Sequence, residues 1–255
     1  MSLSVATAAG SLPLAYHLYL PEEWAEDKAH RKRAGVPDEI AFAPKGTIAR
    51  AQIKAQLCAG IPRGRVLIDA GYGDETALRH WLSARELVYA VGIRPATMVW
   101  CEGHQPARAA LKPGRGRPRT RAERDKAHAP ISVKALAESL PPSCYRTLAW
   151  REGTNEQLRS RFARVRVRAA HADPPVRRSG CSSSSPRGRP RRLASFKALA
   201  ATVKMRWRIE RDYRELKQEV GLGHYEGRNW RGFHHLASLC IAAYGFLMLE
   251  RLSGF

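Results

Sequence analysis

The sequence predicts an α/β fold, and three stretches carry that prediction. Apolar runs at residues 3–7 and 14–20, separated by the turn text AGSLP, read as a β-hairpin. Between residues 65 and 93 come an apolar strand, a glycine turn, a helix-length segment and a second apolar strand. That spacing suits two parallel strands joined by a right-handed crossover. Near the C-terminus, Leu199, Val203, Ile209, Leu216 and Val220 can form the core-facing stripe of one helix. Gly221 stops it, and Leu222 is placed for the apolar contact that accompanies a glycine cap.

The elements between these follow in order. PEEWAEDKAHRKRAGVP is charged and reads as a helix until Gly35 and Pro37 end it. Thr47 can cap a helix that runs to Cys58 with Ile48, Ile53 and Leu57 turned inward. Residues 65–68 read as a buried strand with Asp69 at its C-terminal end. Gly71 and Gly73 make the turn, Asp74 caps the next helix, and residues 88–93 form a further strand. The text from 94 to 132, which includes KPGRGRPRTRAERDK, reads as a solvated loop. Its basic run either touches phosphate or is a flexible insertion. SVKALAESLP predicts a short helix, and YRTLAWREG and RFARVRVRAA predict two strands of a small β-rich insertion. Residues 171–192, HADPPVRRSGCSSSSPRGRPRR, have no apolar period and Asp173 as their one acid, so disorder is expected there. The expected organisation is therefore a first part at 1–93, an insertion with a basic segment at 94–192, and a second part at 193–255. The apolar run at 236–249 is too short for a membrane span and reads as a core helix.

Charge narrows the partner. Lys and Arg number 44 against 23 Asp and Glu, a formal charge of +21. An excess of that size favours a polyanion, and nucleic acid is the usual one. The five cysteines form no C-x-x-C pair and no zinc spacing, and their number is odd. They read as reduced thiols of a cytoplasmic protein. The start, MSLSVATAAGSLPLAYHLYLP, lacks the basic n-region of a signal peptide, and no membrane partner is expected.

Two carboxylates are the candidates for chemistry. Glu210 sits among Arg206, Tyr213, Arg214 and Lys217 at three- and four-residue spacing, so these side chains share one helix flank. Such a flank is commonly a surface ion-pair ladder. Asp69, at a strand's C-terminal end, stands where α/β sheets open on a ligand crevice; it reads equally as a loop Asp capping the following turn. The pair together suggests a site for Mg2+ or Mn2+, hard ions held by carboxylate oxygen, water and substrate phosphate. Two such ions activate the attacking oxygen and stabilise the leaving one in phosphodiester cleavage. Arg228, Trp230, Arg231, His234 and His235 follow the Glu-bearing helix and could approach DNA, although packing accounts as well for Trp230 and Phe233. The adjacent His234 and His235 cannot face one ligand from a helix.

The pattern Arg206-x3-Glu210-x6-Lys217, the GLGHYEGRNWRGFHH that follows it and the upstream LIDAGYGD resemble bacterial insertion-sequence transposases of the DDE type. The resemblance runs from SLSVATAAG through YAVGI and again over 203–251. It implies an RNase H-like (retroviral-integrase-like) mixed sheet with flanking helices, and a β-rich insertion before the Glu-bearing helix. It implies Asp69 as the second catalytic Asp and Glu210 as the catalytic Glu, both holding the metal. It gives Arg206 and Lys217 to transposon-end DNA; the tyrosine of that signature falls on Val203. Arg214, Arg228 and Trp230 complete the expected DNA-binding set. The first catalytic Asp of the family lies on a strand before the opening hairpin, and Met1 falls after it. The expected site is thus short of one ligand, the sheet short of one strand, and the chain alone inactive. The tract at 171–192 has the composition that a GC-rich gene yields out of frame. The function implied is metal-dependent DNA cleavage and strand transfer at insertion-sequence ends, with transposon-end and target DNA as partners and a homodimer left open. A non-catalytic basic nucleic-acid-binding remnant is the alternative.

Overall fold

The computed structural model describes residues 1–7, 9–73, 75–101, 129–152, 157–170 and 195–254, the side chains of 151 and 152 excepted. The expected cap at Asp74, the basic text at 102–128 and the arginine-rich tract at 171–192 lie outside the described residues. The chain divides into two units, Met1–Gly92 with Thr202–Phe255, and Ile93–Ala201.

The first unit opens on the expected hairpin. Strand β1 (Ser2–Ala6) pairs antiparallel with β2 (Ser11–Tyr16). The turn closes where the Thr7 hydroxyl accepts the N–H groups of Ala9 and Gly10. The second strand starts earlier than the sequence predicts and includes Pro13. Pro13 lies opposite Ser4 at a register shift, where its missing N–H does not interrupt the ladder.

The charged segment forms two helices rather than one, α1 (Glu22–Glu26) and α2 (Lys28–Ala34). The Asp27 carboxylate accepts the His30 N–H and starts the second, a local bond that competes with continuing the first. Helix α3 (Lys45–Cys58) begins after Pro44 instead of at Thr47, and it buries Ile48 and Ile53.

The predicted parallel pair is present. Strand β3 (Val66–Ile68) runs parallel to β4 (Tyr89–Val91), with α4 (Ala70–Gly73) and α5 (Thr76–Ala84) between them. Leu78 and Leu82 of α5 are wholly buried and pack with Ile53 and Leu87. Each such side chain contributes roughly 1.5–3 kcal/mol relative to exposure. Glycine is required in the turn after β3, because a Cβ on Gly73 would collide with the Gly92 carbonyl oxygen. That close approach seats the chain after Asp69 against the end of β4.

The predicted helix over 199–220 is broken. Helix α7 (Phe196–Lys204) ends, Met205 and Arg206 turn, and α8 (Trp207–Gln218) begins. The break rotates the apolar stripe out of register. Leu199 and Val203 are exposed at 38% and 54%, whereas Leu216 is buried at 1%. The stop is as predicted: Gly221 is left-handed at φ 89°, and Leu222 packs on the core cluster of Leu216, Cys240, Tyr244 and Met248.

The last three of those residues come from α9 (Trp230–Ser253), whose start is capped by the Asn229 side chain. At 24 residues α9 outruns the apolar text at 236–249, and by length and composition it could cross a membrane. One face, Ala237, Cys240, Tyr244 and Met248, is nevertheless packed into the core.

In the second unit β5 (Met98–Cys101) lies between β6 (Ile131–Ser132) and β9 (Val167–Ala169), antiparallel to both. The expected solvated loop therefore holds a strand at each end. Its MVWC run buries Val99 and Trp100, but four apolar residues amid basic, proline-rich text carry almost no period. Helix α6 (Val133–Ser139) is capped by the Ser132 hydroxyl. The hairpin of β7 (Tyr145–Glu152) and β8 (Gln157–Ala163) follows. RFARVRVRAA is thus shared between β8 and β9 instead of making one strand. Among the described residues the strands form four small sheets. The mixed α/β class stands, but no ladder joins them into one mixed sheet.

Candidate metal and DNA site

Asp69 is the first residue after β3, and its Oδ1 accepts the Ala70 N–H at 2.6 Å. Glu210 lies in the first turn of α8. Between them stands Arg206, at the break before α8. Its Nη1 is 2.9 Å from Asp69 Oδ1, and its Nη2 is 3.3 Å from Glu210 Oε1. The planar guanidinium thus spends one terminal nitrogen on each carboxylate, which brings both acids to a single group. Arg65, just before β3, donates to Thr202 Oγ1 at 2.6 Å and ties the same corner.

All three side chains are open to water: 42% for Arg206, 59% for Asp69 and 66% for Glu210. Pairs this exposed hold about 0–1 kcal/mol each. Tyr72 lies beside the cluster. Its burial, then Tyr213 and Asp69, push its phenol above the ordinary value.

The other predicted residues lie on α8 and at the start of α9. Arg214 and Lys217 are exposed on α8, four and seven positions after Glu210 and so on its flank. Arg228 is exposed just before α9, and Trp230 is the first residue of α9. Trp230 is half-buried, its ring 4.3 Å from the imidazole of His234. Tyr16 also packs on that imidazole, at 5.7 Å, and donates its hydroxyl to the His234 carbonyl.

The donor set suits a hard divalent ion. Two carboxylates from two elements already share a cation, and Mg2+ characteristically takes one or two carboxylates with water and phosphate completing its shell. No group of three or more His, Cys, Asp or Glu that could hold a metal occurs among the described residues. Asp69 and Glu210 are two carboxylates of one open cluster, bridged by Arg206.

One buried acid escaped the sequence reading. Asp212, 2% exposed, accepts the Ser11 hydroxyl at 2.5 Å and the Tyr244 hydroxyl at 3.0 Å, both on Oδ1. Its Oδ2 is buried without a hydrogen-bond partner. Burial first, then the Asp212 carboxylate, drive the Tyr244 phenol far above its ordinary range. The signal was legible in the spacing: Asp212 precedes Leu216 and Val220 by four and eight residues, on the core stripe itself.

One turn further on, Glu215 bonds Arg211 Nε at 2.7 Å and Arg251 Nη1 at 2.9 Å, linking α8 to α9. Burial pushes the Glu215 carboxyl up, but these two arginines outweigh it and hold it below the usual value.

The family model described as DDE superfamily endonuclease matches residues 1–157. The match takes in Asp69 and ends before α8. No curated protein and no solved structure matches the chain. A match over more than half of the residues, on a mixed α/β fold that gathers acids at a strand's end, shows that the chain belongs to the DDE superfamily endonucleases.

Proposed function

We propose that this chain is a transposase-type nuclease in which Asp69 and Glu210 hold Mg2+ or Mn2+ for cleavage and strand transfer at insertion-sequence ends. The family supplies the coarse part, an endonuclease whose substrate is DNA. The observation that carries the rest is the convergence of Asp69 and Glu210, remote in sequence, on one guanidinium. A bound divalent ion supplies Lewis-acid stabilisation at the phosphate and an activated oxygen nucleophile. The chain's own groups do the positioning. Asp69 is held by the Ala70 N–H, and Glu210 by the first turn of α8. In this reading Arg206, Arg214 and Lys217 contact phosphate, and Arg228 and Trp230 also contact DNA.

Only two carboxylates gather here among the described residues, so the chain alone should nick DNA weakly or not at all. The test is a comparison with the Asp69→Ala, Glu210→Ala double variant. We expect Mn2+ binding by the wild type and its loss in the variant, together with any metal-dependent nicking of duplex DNA. Binding and nicking indifferent to both substitutions would refute the assignment.

A second reading is a non-catalytic basic DNA-binding protein. Arg206 already pairs with both carboxylates, and the chain's formal charge is +21. It predicts DNA affinity that falls steeply with salt and ignores both acids.

A further inference from the structure

We infer that Arg206 is the resident cation of the Asp69–Glu210 pair, and that a divalent ion must displace its guanidinium to bind there. The inference rests on the proposed function and adds a competition to it. Arginine carries donors and no lone pair, so it cannot join a metal's shell as a ligand. The oxygens it occupies, Asp69 Oδ1 and Glu210 Oε1, are one from each acid. A metal drawing on both carboxylates meets a positive charge already bonded to both.

The geometry lets that charge leave. Arg206 stands at the α7–α8 break, with helical backbone but no side-chain cap bond to α8. Moving its side chain therefore breaks no helix hydrogen bond. The guanidinium is 42% exposed, and water can take over its donors. Arg214 and Lys217 lie on the same flank of α8. A phosphate drawn to that flank offers the displaced guanidinium another anionic partner. Arg206 is in this sense a positioning residue with two alternative sets of partners.

The effect has a sign and a size. A unit charge about 5 Å from a divalent ion in a water-exposed site weakens binding by roughly tenfold. Calorimetric titration of Mn2+ into the purified full chain measures it. Arg206→Gln should bind Mn2+ roughly tenfold more tightly than wild type. Arg206→Lys, whose point charge cannot bridge both acids, should fall between the two. Asp69→Asn with Glu210→Gln should lose the binding. In the unmutated chain, diamagnetic Mg2+ should shift the Arg206 Nε NMR resonance as the guanidinium leaves; this needs no variant and survives any folding defect in one.

The failures are distinguishable. If the Asp69→Asn, Glu210→Gln chain binds Mn2+ as wild type does, the metal assignment itself is wrong, and the competition with it. If that chain loses binding while Arg206→Gln binds no more tightly than wild type, or the Nε resonance ignores saturating Mg2+, the competition alone is overturned.

Discussion

Glu210 and Asp212 are two residues apart on α8, which sets them about 200° apart around the helix. They show what burial does to the same functional group. Glu210, 66% exposed, pairs with a charged, partly exposed arginine that also serves Asp69. Asp212, 2% exposed, is fixed by two neutral hydroxyls, one from β2 and one from α9. In water a carboxylate exchanges partners at little cost, and the outer acid stands in water. In the core an unmade bond costs its full desolvation, so the inner acid locks β2, α8 and α9 together. The inner lock holds α8 in the rotation that presents Glu210 and Arg206 to Asp69.

Removing each acid in turn gives the largest test of that contrast. Asp212→Ala leaves two buried hydroxyls without an acceptor and should cost about 3 kcal/mol in urea unfolding. Glu210→Ala should stay within about 0.5 kcal/mol. Equal losses would erase the distinction. Asp212→Asn, which keeps the accepting Oδ1, should recover most of the inner loss; failure to do so would move the weight from hydrogen bonding to charge.

Under the proposed assignment, metal should act through Glu210 with Asp69 and not through the inner acid. Mn2+ at a hundred times its dissociation constant should raise unfolding stability by about 2.7 kcal/mol in the wild type. The increment should vanish in Asp69→Asn with Glu210→Gln and persist in Tyr244→Phe. Without metal, Tyr244→Phe itself should cost about 1 kcal/mol, one hydrogen bond of the inner lock.

The smallest effect is a pH dependence carried by Glu215, between the two extremes in exposure. Its carboxyl is held below the ordinary 4.5 in the fold, so its contribution is full above about pH 4.5 and fades as pH falls through the depressed folded value. Stability measured from pH 6 down to pH 3 should therefore drop less steeply in Glu215→Gln than in wild type. Parallel curves would show that its bonds to Arg211 and Arg251 contribute nothing.

Much of this was legible beforehand where the signal is local. The hairpin, the parallel crossover with Asp69 at its strand's end, and the Gly221 stop are set by alternation, chain spacing and backbone freedom. The misreadings come from competition at a distance. Asp27 caps a second helix where charge alone suggested one. The break at Met205–Arg206 turns Leu199 and Val203 outward although their spacing continues the stripe. Asp212 sat on that stripe in plain view, but propensity gives no reason to bury an acid until Ser11 and Tyr244 are known to meet it.

What the sequence determined by itself is the order of elements, the basic character, and which acids stand at a strand's end and on a helix flank. These follow from periods of two and 3.6, glycine and the count of charges, all properties of neighbours along the chain. The tertiary structure alone decided that Arg206, at a helix break, would face Asp69, and that Asp212 would turn inward to two hydroxyls. Pairings between residues so far apart depend on the packing of whole elements, and no local pattern encodes how those elements come to rest.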